Sequence, residues 1–218
     1  EATSSSAMII LDRSASMLST VPNSGGKTRW EIIRQAIINL MEASEGTQFG
    51  LTVFPEIESH DLYRPNSNVV HYENEDIQIN VPISATGRQE ILEILNTASE
   101  ELLSEYYPGN ISRTPIYTAV RKGLEGTPDD GHLILFTDGA QQRERHGRCT
   151  RPSTGDRPNA ESLVRERTVQ VHTVGFGAGI GGGARDCLNA LAEAGGTMAF
   201  HPADTEESLA DELNSIMS

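Results

Sequence analysis

Along the chain, short apolar runs alternate with longer stretches whose apolar positions recur at helical spacing. "AMIIL" (7–11) reads as a buried strand and "FGLTVF" (49–54) as the next strand. Between them, "TRWEIIRQAIINLMEAS" (28–44) puts Trp30, Ile33, Ile37, Leu40 and Met41 on one helical face, and Thr28 with Glu31 marks its start as a capping box. A polar stretch, 55–76, precedes "IQINVPI" (77–83), which alternates like a half-exposed strand. The pair predicts a hairpin carrying a long loop at a sheet edge. The next helix is expected over 86–103, capped by Thr86 with Gln89. Another follows over 114–126, with Pro115 at its first position and Gly126 at its stop. Strands are predicted over 132–139, 169–176 and 197–202, and helices near 159–166 and over 184–194. A closing helix capped by Asp204 with Glu207 buries Leu209, Leu213 and Ile216.

This alternation predicts an α/β fold: a doubly wound, mostly parallel central sheet with one antiparallel edge strand and helices on both faces. With no internal repeat or low-complexity linker, residues 1–218 form one domain with its core over about 7–217. Ligands of such sheets bind at the carboxyl ends of the strands, near the point where strand order reverses.

Two of the apolar runs end abruptly in a carboxylate, "MIILDRSASM" at Asp12 and "LILFTDG" at Asp138. Ser14 and Ser16 follow the first at alternate positions, and Thr114 stands just before the Pro-initiated helix. Each feature has an ordinary reading: Asp and Ser form turns after strands, Thr caps helices, and Asp-Gly is a common turn. The other reading is a site for a hard divalent cation, which takes oxygen ligands. Hydroxyls at alternate positions of an extended loop can point to one centre. Two buried strands ending in Asp favour this second reading.

In the order "DRSASM", "TPIYTA" and "FTDG", followed by "HTVGFG" and "LNALAEAGGTMAFHPAD", the chain resembles the von Willebrand factor type A domain, shared with integrin inserted domains. The resemblance covers about 7–217. It implies a metal-ion-dependent adhesion site (MIDAS) for Mg²⁺ or Mn²⁺, with Ca²⁺ less favoured. Asp12, Ser14, Ser16, Thr114 and Asp138 match its five positions. It further implies a non-enzymatic protein-binding module in which the metal accepts an Asp or Glu carboxylate of a partner. Two positions depart from the family pattern: Ala15 stands for Gly between the serines, and Arg113 for Gly before the Thr.

Composition narrows the partner. Acidic residues outnumber basic ones, 31 to 17, for a formal charge of −14, so nucleic acid is disfavoured. No apolar stretch approaches the ~20 residues that span a bilayer. Within this acidic chain, Arg143, Arg145, Arg148, Arg151 and Arg157 crowd the loop 140–158 after Asp138. By base rate the loop is a solvated surface; its length and place make it, with Arg113, a candidate basic rim for an acidic partner. Cys149 and Cys187 fall in polar connections rather than apolar runs, which favours a bridge tethering this loop and an extracytoplasmic location. Glu1 in place of an initiating Met suits either a trimmed piece or a mature product, from which any signal peptide would already be gone. The sequence leaves oligomeric state and partner identity open, and "NIS" at Asn110 is an acceptor for glycosylation only where the source glycosylates.

Two glycine-rich stretches imitate nucleotide motifs. "NSGGKT" (23–28) lacks the first Gly of a P-loop and follows a loop rather than a strand. "GAGIGG" (177–182) matches G-x-G-x-x-G after a strand, but only one strand follows and it closes in "FHP" rather than in a ribose-binding acid. A metal-dependent hydrolase is the weaker enzyme alternative, with no G-x-S-x-G and no His assigned beside the serines. A subunit of an intracellular, chelatase-like complex is the other; freely reactive thiols would favour it.

Overall fold

The computed structural model describes residues 5–22, 24–54, 77–96, 114–139, 148–150, 158–176, 180–203 and Leu209. Six strands form one sheet: β1 (Ser6–Asp12), β2 (Gln48–Phe54), β3 (Val81–Ser84), β4 (His132–Thr137), β5 (Gln170–Phe176) and β6 (His201–Ala203). Among the described residues, five α-helices accompany them: α1 (Arg29–Ala43), α2 (Gly87–Asn96), α3 (Ile116–Gly126), α4 (Ala160–Arg165) and α5 (Gly182–Ala194). The strand order is β3-β2-β1-β4-β5-β6. Every pairing is parallel except β2 with β3 at the edge, as the alternation predicted.

Period-2 alternation in the strands divides the core between two faces. Ala7, Ile9 and Leu11 pack with Trp30, Ile33 and Ile37 of α1 and with Ile91 and Leu95 of α2. Met8 and Ile10 face the other way, onto Ile116, Val120 and Leu124 of α3 and Leu188 and Leu191 of α5. Each such fully buried side chain contributes on the order of 1.5–3 kcal/mol, so β1 is anchored from both sides. Its rigid end is where Asp12 stands.

The capping box at α1 is present: the Thr28 hydroxyl accepts from the Glu31 N–H, and the Glu31 carboxylate accepts from the Thr28 N–H at 2.7 Å. Other boundaries differ from the sequence reading. β3 begins at Val81, not at residue 77, because the Asn80 side-chain carbonyl accepts from Val53 N–H at 2.7 Å in place of a ladder bond. Thr86 donates to Glu90 at 2.6 Å rather than forming a box with Gln89. Pro115 is the N-cap of α3, one position earlier than expected, and Gly126 is its last residue. β6 begins at His201 rather than 197, after a turn in which Met198 takes φ 73°. The 55–76 stretch, 97–113 and most of the closing helix lie outside the described residues. Leu209 alone of that helix is described, and it is buried against the α1 face.

Among the described residues, no helix is long and apolar enough to cross a membrane.

Candidate functional site

The strand order reverses between β1 and β4. From β1 the chain crosses to β2 through α1 on one face, while β4 is entered through α3 on the other. The cleft between their carboxyl ends is therefore the topological switch point, and Asp12 and Asp138 both stand there. Ser14, Ser16 and Asp138 join Asp12 in one hydrogen-bonded cup.

The bonds form a continuous chain across the two strand ends. Asp12 Oδ1 accepts from Ser14 N–H at 2.8 Å, and Asp12 Oδ2 accepts from the Thr137 hydroxyl at 2.6 Å. Thr137 in turn accepts from Gly139 N–H at 3.2 Å. On the other side, the Ser16 hydroxyl donates to Asp138 Oδ1 at 2.7 Å and stands 3.0 Å from Ser14 Oγ. A hydroxyl has one proton, and that of Ser16 goes to Asp138, while the Ser14 hydroxyl lies between Ser16 and the Asp12 carboxylate, to which it also bonds. Arg29 Nη1 completes the ring with an ion pair to Asp138 Oδ2 and lies 3.5 Å from the Ser16 carbonyl.

Thr114 is 4% exposed and lies against the β4 turn. A Cβ added at Gly139 would come within 3.1 Å of Thr114 Oγ1. The glycine thus lets the Asp138 turn approach the third loop, so residues 12–16, Thr114 and 138–139 share one end of the sheet. Ala15 opens a short 3-10 turn, Ala15–Leu18, a right-handed backbone that does not require Gly.

Charge sets the electrostatics of this cup. Asp12 and the Asp138 side chain are both fully buried. Burial first, and then the neighbouring Asp138 carboxylate, push Asp12 up to about 7, against the bonds from Thr137 and Ser14 that favour its anion. Two buried carboxylates stand side by side in the cup, and the Arg29 guanidinium pairs with one of them, Asp138.

The donor set suits a hard ion. Two carboxylates and three hydroxyls supply oxygen only, and an octahedral Mg²⁺ with ligands at about 2.1 Å sets adjacent oxygens about 3.0 Å apart. The Ser14 and Ser16 hydroxyls already stand at that spacing, 3.0 Å. Among the described residues, no group of three or more His, Cys, Asp or Glu is arranged to hold a metal. The hydroxyl-rich cup is the arrangement to consider.

Of the rim residues, Arg113, Arg143 and Arg145 lie outside the described residues. Arg148 is exposed, and its backbone is pinned by bonds to Pro158 and Ala160. Next to it, Cys149 and Cys187 form the expected disulfide, tying the connection after β4 to α5. Two participants escaped the sequence reading. Thr137 stood inside the quoted "FTDG", and its signal was a hydroxyl on a buried strand end. Arg29 carried a subtler sign: a cation at the first position of a helix, where the macrodipole disfavours it.

The family model of the von Willebrand factor type A domain matches residues 7–141, which contain every member of the cup. No curated protein sequence matches the chain. Among solved structures it is similar to BatB, a conserved hypothetical protein from Bacteroides thetaiotaomicron, at 18% identity over 97% of this chain and 96% of that one, TM-score 0.61. The vWF domain of the type V pili tip protein Mfa5 from Porphyromonas gingivalis matches at 11% identity, 97% and 94% coverage and TM-score 0.58. The PilB minor pilin from Streptococcus sanguinis matches at 16% identity and TM-score 0.61, the whole of this chain covering 61% of the pilin. At these identities the likeness is one of fold. With the family match over more than half its length and the switch-point cup in place, the chain belongs to the von Willebrand factor type A domain family.

Proposed function

We propose that this domain is a protein-binding module in which Asp12, Ser14, Ser16, Thr114 and Asp138 hold a divalent cation, Mg²⁺ or Mn²⁺, that accepts an Asp or Glu carboxylate of a partner protein. The observation that carries the reading is the pair of serine hydroxyls held 3.0 Å apart between two buried carboxylates at the switch point.

Each residue has a role that follows from its bonds. Ser16 gives its proton to Asp138, so its oxygen faces a cation as an acceptor only. Asp12, fixed by Ser14 N–H and by Thr137, orients the loop that carries both serines. Asp138 fixes the position of Ser16, and Thr114 approaches over Gly139. When bound, the cation would supply a local positive field and an acceptor position for a carboxylate, on a chain whose formal charge of −14 otherwise repels acids. Hydroxyl ligands carry no charge, so they preserve that field.

The family and fold support a binding role rather than turnover. Pilus-associated proteins stand among the structural neighbours, and adhesion is a use of the fold that fits a hydroxyl-lined cup. The Cys149–Cys187 disulfide fits an oxidising, extracytoplasmic setting and speaks against an intracellular chelatase-like subunit.

The test is a calorimetric titration of metal-stripped protein with Mg²⁺ and with Mn²⁺, run beside Asp138→Ala. Saturable binding in the parent, lost in the variant, is expected. Equal heats in both proteins would put the ion elsewhere and overturn the assignment.

A further inference from the structure

Arg29 opens α1, the position at which the helix macrodipole disfavours a cation. Nothing in its own helix accounts for it. The acidic residue of that first turn, Glu31, is committed to the N–H and hydroxyl of Thr28 at 2.7 and 3.0 Å. The guanidinium instead reaches across 109 residues of sequence to Asp138, whose side chain is fully buried, while its own side chain keeps 24% exposure. Both Asp138 oxygens are thereby engaged, Oδ1 by Ser16 and Oδ2 by Arg29.

We propose that Arg29 is a resident cation of the cup, which competes with the divalent ion for the charge of Asp138 and so sets how tightly the cup holds metal. The inference rests on the metal reading above and adds a regulator to it. A guanidinium bonded to one of the site's two carboxylates neutralises that carboxylate, and it repels a dication a few ångströms away in a partly buried setting. The same contact supplies the metal-free cup with the counter-charge it needs, because a buried carboxylate without a partner is strongly destabilising. The cup therefore holds together with or without metal. Arg29 yields the charge of Asp138 when a divalent ion enters.

The experiment compares the parent with Arg29→Gln by calorimetry with Mg²⁺ and Mn²⁺, alongside thermal melts of the metal-free and metal-loaded forms. Arg29→Gln is expected to bind both ions at least about tenfold more tightly. Its metal-free form is expected to melt lower than the parent, and saturating metal to recover most of that loss. In the unmutated protein, the Arg29 side-chain Nε–H signal followed by NMR during a Mg²⁺ titration is expected to shift along the calorimetric binding curve. This second reading does not depend on the variant folding. If the parent binds metal and Arg29→Gln binds it no more tightly, or the Arg29 signal stays fixed while metal saturates, the inference about Arg29 is overturned and the metal site stands. If neither protein binds either ion, the metal reading fails, and the competition with it.

Discussion

The Thr137 hydroxyl donates to Asp12 Oδ2 at 2.6 Å, joining the carboxyl ends of β4 and β1 through two fully buried side chains. This bond favours the anion of Asp12 against the burial that opposes it. Replacing Thr137 by Val keeps the shape and removes the donor. The metal-free protein is expected to lose roughly 1–3 kcal/mol of stability by urea unfolding. Mg²⁺ affinity is expected to fall several-fold, because a less anionic Asp12 holds the serine loop less firmly. Unchanged values in both measurements would remove Thr137 from the site.

Gly139 is needed for close approach rather than for an unusual backbone. Its added Cβ would sit 3.1 Å from Thr114 Oγ1, so Gly139→Ala displaces the threonine by a few tenths of an ångström. The expected result is metal affinity weakened several-fold with less than about 1.5 kcal/mol of stability lost. Large unfolding with parental metal affinity would instead make Gly139 a folding residue only.

The disulfide joins cysteines 38 positions apart in sequence, tying the connection after β4 to α5. Joint replacement of Cys149 and Cys187 by Ser is expected to cost about 2–4 kcal/mol of stability, read as a lower urea midpoint. Reduction of the parent by dithiothreitol is expected to reproduce the effect. A midpoint that does not move would show that the connection after β4 holds its place without the bridge.

A pH dependence comes from the other end of the sheet. His172 is 6% exposed, stands 3.3 Å from His132 through their ring nitrogens, and has the His201 ring centred 6.2 Å away. Burial first, and then the charges of His132 and His201, bring it down to about 4. Between about 4 and the ordinary 6.5, the unfolded chain binds a proton at this position that the folded chain does not. The stability His172 contributes is therefore complete above pH 6.5 and is lost as pH falls toward 4. The full effect is on the order of 3 kcal/mol. Asp12, raised to about 7, acts in the opposite direction over an overlapping range, so metal-free stability from that group falls as pH rises. Subtracting the unfolding curve of His172→Gln from that of the parent cancels the Asp12 contribution. The difference is expected to shrink steadily from pH 6.5 to pH 4, and a flat difference would contradict it.

Much of this architecture was legible because its signals are local. The burial of β1 and the capping box of α1 lie within a few residues of chain, and the two aspartates were conspicuous because each ends an apolar run. The missed features are tertiary. The bond of Arg29 to Asp138 and that of Thr137 to Asp12 span 109 and 125 residues, and no periodicity encodes either. The late start of β3 has the same origin, since Asn80 substitutes its side chain for a ladder bond only once Val53 is beside it. At β6, strand-like composition over 197–202 gave way to a turn with Met198 at φ 73°, which sequence pattern alone does not reveal.

The central claim, that the switch-point cup holds a divalent cation, is tested most directly by crystals of the protein soaked in Mn²⁺ and measured for anomalous scattering. One strong peak is expected within about 2.0–2.3 Å of both the Ser14 and Ser16 hydroxyl oxygens, on the side facing Asp138. A peak at another place, or none while the Arg29–Asp138 pair remains closed, would contradict it.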